Sequence, residues 1–155
     1  MSKIQNTQRY SLSMSDLWKN TEKTMDEIGP LLKAAENTSF EDRKFTYARG
    51  GPGGVIPFRN ATEKSWVALS QGTDVLVEHF LHKVPKGNYD RRLALREMEA
   101  RWPDLASKHF YDRYGALTHY LRNNKEYFSS LDLDMLRFEV GRLKAYLADI
   151  KTAIK

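Results

Sequence analysis

A chain of 155 residues, 41% hydrophobic and 29% charged, falls within the size of one domain and is long enough to bury a proper core. The absence of cysteine excludes disulfides, thiolate metal sites and cysteine nucleophiles. No apolar run approaches the roughly 20 residues that span a bilayer. Residues 1–15 also lack the continuous hydrophobic centre of a secretory signal, so a cytoplasmic location away from the membrane is expected.

Taken in chain order, the first strong helix is predicted after Ser13 or Ser15, where a hydroxyl caps free amides and Asp16 favours the positive end of the helix dipole. Leu17, Trp18, Thr21, Met25, Ile28 and Leu32 then recur at helical spacing. Gly29-Pro30 predicts either one bent helix or two short ones. A short helix started by Ser39 is expected over residues 40–48, followed by a Gly/Pro-rich loop near residues 49–59. That loop lacks the Gly-Lys-Ser/Thr of a P-loop and reads as a connector or flap. Asn37-Thr38-Ser39 and Asn60-Ala61-Thr62 match the glycosylation pattern, but without an export signal they read as turn or cap residues.

Asn60, with Glu63 able to reach back to the cap amide, predicts a long helix running to about His82. Trp66, Leu69, Thr73, Leu76, Val77 and Phe80 form its inward stripe. His79 and His82 lie one turn apart with Glu78 nearby, a spacing that permits a metal, but no motif places a third ligand and no metal or other cofactor is expected. Residues 85–88 are expected to form a turn, and residues 90–101 a short helix with Leu93 and Met98 available for the core and Arg91, Arg92, Arg96 and Arg101 largely facing water. Asp104 then caps a helix expected to reach Asn123, and Gly115 weakens it. The last helix begins after Ser129 or Ser130 and carries Leu136, Val140, Leu143, Leu147, Ile150 and Ile154 at intervals of four and three. Such a seam buries in a bundle or pairs with another subunit, so a homodimer through the C-terminal helix is an open expectation.

No segment alternates as strands do, so the expected fold is all-α: a compact bundle of about five helices in one domain spanning residues 1–155. Within it, residues 1–54 form an N-terminal extension packed on a bundle of residues 60–154. Charge is uneven, since residues 83–125 hold ten lysines and arginines against five carboxylates, an excess equal to the +5 of the whole chain. That bias favours an anionic partner, and Arg91, Arg92, Arg96, Arg101, Lys108 and Arg122 are the candidate nucleic-acid-binding residues. Tyr89, Trp102, Phe110, Tyr111, Tyr114 and Tyr120 add candidate stacking faces for unpaired bases.

Within this basic segment Arg113 and His119 are separated by five residues. An arginine holds phosphate through charge-assisted hydrogen bonds and a histidine moves protons near neutral pH, so the pair suits phosphodiester cleavage. It resembles the signature of the HEPN superfamily of helical nucleases and nucleotide-associated proteins: arginine, four to six residues, then histidine. Residues 60–80, with their Glu63-Lys64-Ser65-Trp66 start, also resemble the long early helix of small prokaryotic members, and the similarity spans residues 60–154. Tyr114 stands where active members often carry a small polar residue. The resemblance implies a dimerising bundle in which two such pairs meet across the interface for metal-independent RNA cleavage by a ribonuclease or toxin-type effector. Arg113 would stabilise phosphate charge and His119 would assist proton transfer. Two other classes stand beside it: a noncatalytic module that binds nucleic acid or protein through the basic segment, and an assembly or regulatory subunit that uses the C-terminal seam.

Overall fold

The computed structural model describes residues 13–36, 55–123 and 133–155. The chain is all-α, a bundle with no strand among the described residues. Its elements are α1 (Met14–Glu36), α2 (Val55–Leu81), α3 (Asn88–Arg101), the single turn α4 (Pro103–Ala106), α5 (Phe110–Asn123) and α6 (Leu133–Ala153). The short helix expected over residues 40–48 and the loop over residues 49–54 lie outside the described residues. No helix among the described residues is long and apolar enough to cross a membrane.

α1 starts as its sequence indicates, because Ser13 Oγ accepts the Asp16 amide at 3.1 Å. It then runs unbroken through Pro30. Gly29 and Pro30 both lie on its exposed side, where water can solvate the carbonyl that proline leaves without a donor. Ile28, Leu32 and Ala35 belong to the same buried core as the helices that follow, so α1 is part of the bundle.

α2 is the central helix and packs against α1, α3, α5 and α6. It begins at Val55, ahead of the expected cap at Asn60, which is an exposed residue inside the helix. Pro57 explains the earlier start, since a proline in the first turn forfeits no intrahelical bond. Thr62, Ser65, Ser70 and Thr73 are buried although polar, and each hydroxyl donates to the carbonyl four residues back, at 2.7–3.0 Å. The helix closes at His82, whose φ of 56° is left-handed and whose amide donates to the Glu78 carbonyl at 3.0 Å.

Thr24–Gln71, Glu27–Lys64 and the approach of Thr21 to Gly72 set α1 antiparallel to α2. A Cβ at Gly72 would overlap Leu147 Cδ2 of α6 and lie 3.6 Å from Thr21 Cγ2, so glycine marks the point where α1, α2 and α6 converge. Leu136, Val140, Leu143, Leu147 and Ile150 face this core and are buried, which means that the α6 seam is occupied within the chain. Tyr146 is fully enclosed beside them, its hydroxyl 2.7 Å from Thr73 Oγ1.

The helix expected from Asp104 to Asn123 is interrupted. Pro103 opens α4, Ser107 Oγ bonds back to the Asp104 carbonyl at 2.8 Å, and His109 adopts φ 55° before α5 begins. α3 also differs from expectation, because Ala94, Leu95 and Met98 fill its inner face together with Arg91, and Leu93 points outward.

Candidate functional site

Arg113 and His119 both sit on α5 but have different neighbours. Arg113 is half-buried, and its Nη1 donates to Asp149 Oδ2 at 2.7 Å and to the Lys108 carbonyl at 3.1 Å. Its guanidinium carbon lies 5.5 Å from the Tyr146 ring centre and 5.9 Å from that of Phe110. These contacts tie Arg113 to α6. His119 is exposed, and its side chain makes no hydrogen bond or ion pair among the described residues. Six residues of helix turn the two side chains about 120° apart, and the single chain does not bring them together.

Of the α3 arginines expected to face largely toward water, Arg92, Arg96 and Arg101 do so and Arg91 does not. The residue is 8% exposed, and its Nε and Nη2 donate to Asp74 Oδ1 and Oδ2 at 2.8 and 3.3 Å. Burial works against the charge on Arg91, but the Asp74 hydrogen bond and charge outweigh it and its pKa is raised. The Tyr114 hydroxyl, next to this pair, donates to Asn88 Oδ1 at 2.7 Å. Burial raises the Tyr114 pKa, with Arg91 opposing. Arg91, Asp74, Tyr114 and Asn88 thus form a polar knot that fixes α3 on α2 and α5.

The remaining basic candidates are exposed. Arg92 lies 5.8 Å from the Tyr111 ring centre, Arg101 4.6 Å from that of Trp102, and Arg122 5.4 Å from that of Trp66. Arg92, Arg96, Arg101, Lys108 and Arg122 form no ion pair among the described residues. Arg122 stands apart from the rest, about 18 Å along α5 from Phe110 at 1.5 Å per residue.

On the outer side of α3, Tyr89, Arg92, Leu93 and Arg96 fall within about 100° of arc. Tyr89 is 74% exposed and Leu93 45%. Of the stacking candidates, Phe110 and Tyr114 are buried in the core and Trp102, Tyr111 and Tyr120 are half-buried, which leaves Tyr89 as the one ring freely presented to solvent. Neither the outward turn of Leu93 nor the selection of Tyr89 was evident from composition. The signal lay in the spacing of Arg91, Ala94, Leu95 and Met98, which defines the inner face of α3 by itself.

Two depressions flank these elements. One of about 450 Å³ runs between α1 and α6 over Trp18, Met25, Ile28, Leu32 and Leu147, with Glu22 and Lys151 approaching to 4.0 Å at its rim. The other, about 300 Å³, lies between the end of α2, the α3–α4 junction and the end of α6, and is lined by Phe80, Trp102, Leu105, Lys108 and Asp149. His79 packs against Phe80 with ring centres 4.9 Å apart, and no group of three His, Asp or Glu side chains able to hold a metal ion occurs among the described residues. Comparison with protein-family models, with curated proteins and with solved structures finds no match for this chain.

Proposed function

We propose that this protein is a noncatalytic helical module that binds single-stranded nucleic acid through the outer face of α3. The observation that carries this reading is the stripe of Tyr89, Arg92, Leu93 and Arg96: an open aromatic ring beside guanidiniums without carboxylate partners among the described residues. A free ring stacks on any unpaired base, and uncompensated arginines hold the phosphates on either side of it. The Arg101 and Lys108 side chains extend the positive surface toward the α3–α4 junction. A ribonuclease of HEPN type requires a second chain to carry a histidine to each Arg113, and Arg113 in one chain is already held by Asp149.

Fluorescence anisotropy with labelled single-stranded RNA, followed by end mapping of the recovered RNA, tests the proposal. Salt-sensitive binding to intact RNA is expected, weakened about tenfold or more by Arg92→Glu with Arg96→Glu. Absence of binding at low salt refutes the reading, as does a partner recovered only among proteins. Cleavage that disappears in both Arg113→Ala and His119→Ala replaces it with the catalytic one.

A further inference from the structure

The pocket at the α3–α4 and α6 junction combines an aromatic wall with a half-engaged carboxylate and a free ammonium. Phe80 and Trp102 supply the wall, their ring centres 5.2 Å apart, and Leu105 adds apolar surface. Asp149 Oδ2 accepts from Arg113 at 2.7 Å, while no bond to Oδ1 is made among the described residues. Lys108 lines the same pocket, and its ammonium forms no ion pair among the described residues. Arg101 stands over Trp102 at 4.6 Å from the ring centre. The volume of about 300 Å³ sits at the small end of ligand sites, the size of a flat heterocycle with little attached.

The chemistry narrows the occupant further. A carboxylate offers acceptors only, so the edge that meets it must present donors. Arg113 already balances the charge of Asp149, which removes the need for a cationic ligand, and Lys108 with Arg101 outweighs the exposed Asp104 of the same pocket, leaving the rim net positive. A neutral aromatic ring bearing adjacent N–H donors and a tethered phosphate satisfies all three conditions. Among nucleobases only guanine places a ring N–H and an amino group side by side, matching the two oxygens of one carboxylate. Adenine and cytosine set an acceptor nitrogen beside the amino group, where it repels the carboxylate, and uracil flanks its one N–H with carbonyls.

We infer that this pocket takes a guanine base, from a free guanine nucleotide or an unpaired guanosine in a strand, with Asp149 on its N1–H and N2–H donors and Lys108 on its phosphate. The ligand class rests on the nucleic-acid reading above, but the site is separate from the α3 stripe, and the two fail in distinguishable ways.

Isothermal titration of the full chain with 5′-GMP and 5′-AMP is the direct test. GMP is expected to bind about tenfold or more tighter than AMP, the range of a charge-assisted hydrogen-bond pair. Asp149→Asn removes that preference, and Lys108→Ala weakens both nucleotides equally. Because Asp149→Asn also loosens Arg113, Ala153→Phe provides a second variant that fills the pocket and leaves the ion pair in place, and it should abolish GMP binding with an unchanged circular dichroism spectrum. Equal affinity for GMP and AMP, or GMP binding that survives Ala153→Phe, overturns the assignment. RNA binding through Arg92 and Arg96 with no guanine preference and no GMP binding overturns the pocket alone. GMP binding with no affinity for any RNA assigns the pocket to a free nucleotide and overturns the proposed strand-binding function.

Discussion

Tyr146 is enclosed completely, and the direction of its hydrogen bond follows from counting protons. Thr73 Oγ1 spends its single hydrogen on the Leu69 carbonyl at 2.7 Å, so Tyr146 is the donor in the 2.7 Å contact between the two hydroxyls. Burial, the largest cause, raises the Tyr146 pKa, and a bond in which the phenol is the donor also favours its protonated form. A raised folded-state pKa gives stability that is fully present below the unfolded value of about 10 and is lost as pH rises through the folded value. Above pH about 10 each such tyrosine therefore contributes a loss of up to about 1.4 kcal/mol per pH unit. Tyr146→Phe should cost about 1 kcal/mol at neutral pH and flatten the alkaline decline measured by urea unfolding; an unchanged slope counts against the enclosed phenol. Arg91 and Asp74 lead to a second expectation at this scale. Their side chains are 10% and 13% exposed, so Asp74→Ala strands a guanidinium that cannot shed its proton. A loss of about 3–5 kcal/mol is expected by chemical denaturation. Arg91→Met should cost less, because the remaining carboxylate can neutralise itself by taking up a proton.

Gly72 acts through the spacing of whole elements. Its missing Cβ lets Leu147 of α6 and Thr21 of α1 close on α2, and an added methyl must drive Leu147 toward the α1–α6 groove. Gly72→Ala gains about 1 kcal/mol of helix propensity but overpacks the contact by roughly 1–3 kcal/mol, so a net loss of about 1 kcal/mol is expected. With Leu147→Ala present, the same substitution should become stabilising because the methyl fills vacated space. A double-mutant cycle in which the sign does not reverse would show that the convergence is not at Gly72. This junction also shows why some elements were legible in the sequence and others were not. The α6 seam keeps its intervals of four and three because one side packs and the other meets water, and period alone identifies it. α2 shows a polar face only in its first half, at Arg59, Asn60, Glu63 and Lys64; over residues 68–81 it is enclosed by its neighbours with no exposed position, and Ser70 and Thr73 enter the core by bonding their own helix. Arg91 occupies an inward position at helical spacing with Ala94, Leu95 and Met98, but the Asp74 that makes this tolerable belongs to α2. The break between α4 and α5 rests on a left-handed His109, a conformation its local sequence does not announce. The candidate site divides in the same way: the basic bias was visible in the chain, while the engagement of Arg113 by Asp149 joins residues 36 positions apart.

Across the whole molecule, the fold decides which charges remain available. Residues 83–125 hold the entire formal excess of +5. Inside that segment Arg91 is matched by Asp74, Arg113 by Asp149 and Lys83 by Glu97. Asp90 and Glu99 accept backbone amides, of Lys86 and Tyr111, and are thereby directed toward the chain itself. Arg92 and Arg96 are left as a field without carboxylate partners among the described residues beside the open Tyr89 ring, whereas Arg101 and Lys108 lie at the α3–α4 junction with the exposed Asp104, and Arg122 is displaced toward Trp66. If this field holds a strand by local phosphate contact, salt dependence should follow position as well as net charge. Each phosphate contact to a single strand contributes about 0.7 to the slope of log affinity against log salt. Arg92→Gln with Arg96→Gln should therefore lower that slope by about 1.4 for single-stranded RNA. Lys33→Gln with Lys144→Gln removes the same total charge from exposed sites on α1 and α6 and should leave the slope nearly unchanged. Equal effects from the two pairs would mean that the chain attracts polyanions through its overall charge, and the α3 face would lose its claim to be the binding surface.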